Sequence, residues 1–134
     1  MTELTYTITE LAREFDLTPR AIRYYEDQGL IAPARAGVQR VYGKRDRTRL
    51  KLTLRGRRIG LSLAEIRELI DMYDTAPEST QLARLVEVLE ERRARLEQQR
   101  EDIDAVLAEI DTIEAQCQSL LDAQTAKMTK RNRS

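Results

Sequence analysis

The sequence predicts a mainly α-helical protein, with a small N-terminal domain of short helices around a hairpin and then one long helix. Three observations lead there. Residues 8–28 hold two capped amphipathic segments on either side of a tight turn. A mainly apolar heptad runs from residue 82 to 120, with Arg92 and Gln99 the polar exceptions on its seam. Aromatic residues make up only 4% of the chain while 41% is hydrophobic, a balance that suits packed helices better than a β-sandwich.

Met1 to Tyr6 is a lead-in, with Tyr6 expected as a staple or a short extended piece. Thr7 and Glu10 have the spacing of a capping box, and Ile8, Leu11, Ala12 and Phe15 then fall on one helical face. Asp16-Leu17 makes the turn. Thr18 is a good N-cap, and Pro19 suits the first helical position, where no N–H is needed. The second helix offers Ala21, Ile22 and Tyr25 to a core, and Gly29 ends it. Its outer face carries Arg20 and Arg23, three apart and therefore neighbours, with Tyr24 beside them. A cationic helix on so short a turn fits the DNA major groove. Guanidinium forks reach guanine edges, and capped N–H groups and tyrosine hydroxyls reach phosphates. The same stretch alone also suits a solvated helix hairpin, so the rest of the chain decides.

After Gly29, Leu30-Ile31-Ala32-Pro33 is expected to be extended, because Pro33 forbids a helix. Gly37 marks a turn and Gln39-Arg40-Val41-Tyr42 is a second extended piece, so residues 30–42 form a hairpin wing able to lie on a DNA backbone. Arg35, Arg40 and Tyr42 are its candidate contacts; Tyr42 serves equally well as a buried aromatic bracing the wing. Leu50, Leu52, Leu54 and Ile59 make a third helix with a strongly basic outer face, stopped by Gly60. Ser62 and Glu65 form a second capping box, and Leu63, Ile66, Leu69 and Ile70 carry a fourth helix to Tyr73. Residues 45–73 are thus a second, helical wing with Arg57 projecting, and Pro77 marks the linker.

The formal net charge of zero hides an asymmetry. Residues 1–70 carry a net of +5 and residues 71–134 a net of −5. Arg35 to Arg58 contains ten Lys/Arg and only Asp46 as an acid, an electrostatic footprint for phosphates that favours nucleic acid over a bare solvated face.

Positions 82, 89, 96, 103, 110 and 117 are Leu, Leu, Leu, Ile, Ile and Cys; three residues after each stand Leu85, Arg92, Gln99, Val106, Ile113 and Leu120. A helix over 79–121 with this seam spans roughly 58 Å between Leu82 and Leu120 and has no core of its own, so it must pair. Parallel pairing would set Arg92 on Arg92 and Gln99 on Gln99. Antiparallel pairing matches Leu82 with Leu120, Leu89 with Ile113 and Leu96 with Val106. An antiparallel coiled-coil homodimer follows, with Ile103, Ile110 and Cys117 completing the seam.

Thr18-Pro19-Arg20-Ala21-Ile22-Arg23-Tyr24-Tyr25-Glu26, then Gly29-Leu30-Ile31, Arg40-Val41-Tyr42 and Ile59-Gly60-Leu61-Ser62-Leu63-Ala64-Glu65-Ile66 resemble, in order and spacing, the winged helix-turn-helix domain of MerR-type transcriptional regulators. The resemblance covers residues 5–75, about half the chain. Gly43 departs from it, standing where members often have a capping Ser. It implies a homodimer on double-stranded promoter DNA, with RNA polymerase at the same promoter and DNA bent and untwisted between the elements. Arg20 and Arg23 would read bases, while Thr18, Tyr24, Tyr25, Arg40, Lys44 and Arg57 would position phosphates. Tyr24 to Gly29, Arg45 to Leu52 and Asp71 to Asp74 are most similar to the branch linked to leucine, isovalerate and acyl-CoA catabolism genes, a likeness that leaves any effector unidentified.

Other chemistry is thin. Histidine is absent, which removes the commonest general base and metal ligand. Metal-sensing members place two or more cysteines near the end of the dimer helix. Here Cys117 is alone, and one thiolate completes neither a linear nor a tetrahedral site. No cofactor, no metal and no enzyme activity are expected. With a single cysteine and no secretory pattern, a reducing cytoplasm is the expected location. Residues 122–134 are expected to be a basic, polar, disordered tail that leaves no room for a separate drug-binding domain. Two rival readings remain, an excisionase-like architectural DNA-bending protein and a coiled-coil adaptor whose basic face docks an acidic protein.

Overall fold

The structure, a computed structural model, describes residues 4–133. Its elements in chain order are β1 (Thr5–Tyr6), α1 (Ile8–Phe15), α2 (Pro19–Asp27), β2 (Ala34–Ala36), β3 (Gln39–Gly43), α3 (Lys44–Arg58), α4 (Leu63–Thr75) and α5 (Glu78–Arg133). Two units result, one through Arg92 and one from Arg93.

In the first unit the caps act as their residue types dictate. Thr7 Oγ1 accepts from the Glu10 N–H at 3.1 Å while the Glu10 carboxylate accepts from the Thr7 N–H at 2.9 Å. Asp16 takes the left-handed conformation at φ 54°, which short polar side chains tolerate, and so turns the chain from α1 to α2. Gly29, at φ +77°, ends α2 with a Schellman-type pair of bonds from its own N–H to Glu26 and from the Leu30 N–H to Tyr25.

The sheet is antiparallel in the order β1-β3-β2, with Tyr6 opposite Tyr42 and Arg35 opposite Arg40. Its hairpin differs from the expected wing, because the first strand is Ala34–Ala36 and not the apolar run before it. Pro33 has no N–H to give a ladder. Leu30 and Ile31, 0% and 2% exposed, are taken up by the core. Asp46, the lone acid of the basic stretch, accepts from the Ala32 and Gly43 N–H groups at 3.0 Å each, tying the start of the wing to the start of α3. Gly43 is the N-cap of α3; having no side chain, it accepts nothing from the first turn, and Asp46 makes only the reciprocal half of a capping box by accepting from the Gly43 N–H.

Two apolar clusters hold this unit together. Leu11, Ala12, Ile22, Ile31, Tyr42 and Leu50 form one beneath the helix-turn-helix. Leu30, Leu61, Ile66, Leu69, Ile70 and Val88 form the other between α3, α4 and the first turns of α5. Tyr25 packs against both, so α2 is anchored to the whole unit through one ring. Each fully buried Leu or Ile contributes about 1.5–3 kcal/mol.

The first turns of α5 belong to this unit by packing as well as by sequence. Val88 is fully buried, and Leu85 packs against the second cluster. The Gln81 side chain donates to the Leu69 carbonyl at 3.2 Å, and Arg84 pairs with Glu68 at 2.9 Å. Leu85 and Leu89, expected on a dimer seam, line an apolar groove of about 330 Å³ with Leu52, Ile59, Leu61 and Ile66. Arg92, also expected on the seam, turns instead to its own domain and donates to the Ile59 carbonyl.

The second unit is the remainder of α5. Leu96, Ile103, Val106, Ile110, Ile113 and Leu120 are all exposed on it. The expected disordered tail is corrected here, since α5 continues to Arg133. Residues 122–133 contain no Gly or Pro, and over half of them are the helix formers Ala, Gln, Lys, Met and Arg. The cations Lys130, Arg131 and Arg133 occupy the last turn, where they complement the helix dipole.

Candidate nucleic-acid interface

The expected recognition helix is α2. Thr18 Oγ1 accepts from the Ala21 N–H at 3.1 Å, and Pro19 in the first turn has no N–H to leave unpaired. Ile22 faces inward and is fully buried. Two helical steps around, Arg20, Arg23 and Tyr24 are exposed together, and Tyr24 leans on Tyr25 with ring centroids 5.8 Å apart. The helix therefore presents two guanidinium forks and a phenol on a face that its caps and core hold rigid.

The wing brings Arg35 and Arg40 to the same carboxylate. Arg40 Nε donates to Glu26 at 2.8 Å, and Arg35 lies 3.7 Å from it. Glu26 is the last acidic residue on α2 before Asp27, so wing and recognition helix are joined by this shared ion pair.

Of the two places open to Tyr42, the structure gives the buried brace, so Tyr42 is withdrawn as a DNA contact. It is fully buried opposite Tyr6, among Leu11, Ile22 and Ile31, because it falls on the inward face of β3. Burial pushes its phenol pKa up, and its hydroxyl has no hydrogen-bond partner among the described residues.

Lys44 and Arg57 are exposed at the first and last turns of α3. Between them the free charge is smaller than the sequence count. Of the ten basic residues from Arg35 to Arg58, five are in ion pairs: Arg35 and Arg40 with Glu26, Arg45 with Asp74, Arg47 with Glu14, and Arg49 with Asp71 and Asp74. All four carboxylates lie outside that stretch, so no window on it could show them. The Arg47 guanidinium also stands 5.9 Å from the Tyr6 ring, and its hydrogen bonds hold the Glu14 carboxyl below the usual range.

Several structural residues had little local signal. Glu14, Glu26, Asp71 and Asp74 matter through long-range pairing. Val88 did carry one, being an apolar residue off the heptad seam, and it is the buried side chain of α5 among the described residues. Among the described residues no cluster of His, Cys, Asp or Glu is arranged to hold a metal ion, and Cys117 is exposed on α5.

A capped, arginine-bearing second helix, a hairpin wing and a basic helical pair together define a winged helix-turn-helix DNA-binding protein. Residues 6–73 match the family model described as MerR HTH family regulatory protein, and residues 47–113 match that described as MerR, DNA binding. The chain belongs to the MerR family and is a DNA-binding transcriptional regulator. It is 31% identical over 120 residues to the HTH-type transcriptional regulator ZntR of Escherichia coli (strain K12), covering 88% of this chain and 79% of that one. Among solved structures it is similar to the transcription regulator PbrR691 of Ralstonia metallidurans CH34 in complex with lead(II), with 28% identity, a TM-score of 0.64 and coverage of 77% and 80%. It shares its fold with HiNmlR, a MerR family regulator lacking the sensor domain, bound to promoter DNA, at 22% identity, a TM-score of 0.57 and coverage of 78% and 79%. Among the described residues no helix is long and apolar enough to cross a membrane.

Proposed function

We propose that the chain acts as a homodimer on a pseudo-palindromic promoter site, with Arg20 and Arg23 reading base edges from the major groove. Thr18, Tyr24, Tyr25, Arg35, Arg40, Lys44 and Arg57 position the phosphates. The observation that carries this reading is the joint exposure of Arg20, Arg23 and Tyr24 on a capped helix whose opposite face is buried.

The dimer forms through α5, where Leu96, Ile103, Val106, Ile110 and Ile113 leave an apolar stripe open. Antiparallel pairing brings the partner's seam to Leu82, Leu85 and Leu89 and extends it along the apolar groove. Two units held at a fixed separation match half-sites about 34–36 Å apart on straight DNA. A promoter with an overlong spacer sets its two elements on mismatched faces. Bending and untwisting the middle realigns them for RNA polymerase, at a cost on the order of 1–6 kcal/mol that the phosphate contacts offset. The protein works in the cytoplasm, without enzymatic activity. It senses no metal through its own thiols, since Cys117 is the single cysteine and histidine is absent.

Chemical probing of a promoter bound by the full chain tests the reading. The expected result is enhanced reactivity at the central base pairs, flanked by protected half-sites. Straight DNA with an unreactive centre would reduce the protein to a simple repressor, and binding confined to recombination sites would make it architectural.

A further inference from the structure

We propose that Arg49 is a positioning residue for DNA recognition, fixing the end of the recognition helix against α4; the inference rests on the DNA-reading role of α2. Arg49 lies in the middle of α3 and is only 5% exposed. Its Nε donates to the Leu30 carbonyl at 2.6 Å. Its Nη1 donates to Asp74 at 2.8 Å and reaches the Ile70 carbonyl at 3.4 Å. Its Nη2 donates to Asp71 at 3.1 Å and reaches the Gly29 carbonyl at 3.5 Å. One planar group thus joins the chain leaving α2 to two carboxylates and a carbonyl near the end of α4.

A buried charge satisfied this fully costs little when intact, yet it is seldom the cheapest way to stabilise a core. An apolar side chain of similar size is often as good. What an apolar side chain cannot do is hold three carbonyls and two carboxylates around one group. Gly29 and Leu30 are the residues that end α2, so the direction of that helix, and with it the placement of Arg20 and Arg23, is set at this fork. Asp74 also takes Arg45, which carries the same network to the exposed face of α3. Base discrimination falls off steeply when contact groups move by an ångström, whereas phosphate attraction is spread over many charges and tolerates it. Loss of the fork should therefore damage selectivity and spare nonspecific affinity.

The experiment compares the full wild-type chain with Arg49→Lys, Arg49→Met and the milder Asp71→Asn. Lysine keeps the charge but is a point donor that cannot reproduce the fork. A duplex is first selected by the wild type from a random pool, and its affinity is then compared with that of an unrelated duplex at one salt concentration. Circular dichroism melts show which variants are folded at the assay temperature. In folded Arg49 variants the ratio of selected to unrelated affinity should fall about tenfold, the scale of one mismatched base pair, with unrelated binding within about twofold of wild type. Asp71→Asn, which loses the Arg49 pair and a looser one to Arg67 at a half-exposed carboxylate, should fall in the same direction by less and remains informative if both Arg49 variants unfold. An unchanged ratio in any folded Arg49 variant, or in Asp71→Asn if neither of those folds, would overturn the proposal. Equal losses on both duplexes would make Arg49 a purely structural residue. Failure of the wild type to select any sequence would overturn the DNA-reading role of α2 itself and is distinguishable from either.

Discussion

Arg92 Nε donates to the carbonyl of Ile59 across 2.8 Å, so a residue with the heptad spacing of α5 closes the C-terminal end of α3. Between them sits Gly60, at φ +86°, and a Cβ on it would overlap the Arg92 guanidinium. Substitution of Gly60 by Ala meets two separate penalties. The left-handed backbone costs about 1 kcal/mol or somewhat more for a residue with a side chain. Displacing the guanidinium forfeits its hydrogen bond, about 1 kcal/mol again. Gly60→Ala should therefore cost about 2 kcal/mol in the wild type and about half that in an Arg92→Ala background. Denaturant unfolding of the four proteins of this cycle measures the difference, and strict additivity would show that the two residues do not interact.

Base reading and phosphate binding should separate by mutation. Arg23→Ala is expected to relax sequence preference and to cost about 1–3 kcal/mol at a selected site. Arg57→Ala should weaken all sequences alike and reduce the salt slope by about one ion. Titrations of specific and unrelated duplexes at several salt concentrations distinguish these. Equal factors on both duplexes for both mutants would show the roles wrongly assigned.

The Arg47–Glu14 pair makes stability depend on pH in a defined direction. Hydrogen bonding to Arg47, opposed in part by desolvation, leaves the Glu14 carboxyl below its ordinary value in the folded state. A depressed folded pKa stabilises above the unfolded value, and the contribution is lost as pH falls through the folded one. Glu14→Gln should thus melt below the wild type at neutral pH, with the two curves converging in acid. The effect should be small, because the pair is partly exposed and screened by salt. Thermal melts from neutral to acid pH check it, and a gap that widened in acid would contradict the linkage.

Cys117 should not form a disulfide within a dimer. In the antiparallel arrangement it faces the partner's Leu85, which places the two thiols roughly 48 Å apart along the helices. Mild oxidation of the native dimer should give no crosslinked band, or only one whose yield rises with protein concentration. A rapid crosslink independent of concentration would rule that arrangement out.

Local chemistry made most of the elements legible in the sequence. Thr7-Glu10, Thr18-Pro19 and Ser62-Glu65 announced three helix starts because caps act within four residues. Gly29 and Gly60 announced two of the stops. Pairings that cross the chain were not legible. Arg49 reads as one more cation in a basic run until Asp71 and Asp74 fold against it. Tyr42 could be assigned to neither face until the Tyr6 strand lay beside it. Arg92 fits the heptad spacing, and only the carbonyl at Ile59 shows why a charged residue occupies that place. Residues 122–133 look like a tail by polarity, while their helix-forming composition is the better guide to α5.

Glu26 has a consequence for how the wing meets DNA. Its carboxylate already holds Arg35 and Arg40 in the free protein. Contact of these arginines with DNA would thus be an exchange of anions, in which a phosphate displaces a carboxylate. Cations condensed on the DNA would still be released as each phosphate is neutralised, so what the swap reduces is the net gain: such a wing would add contact and orientation with less affinity than two unpaired arginines.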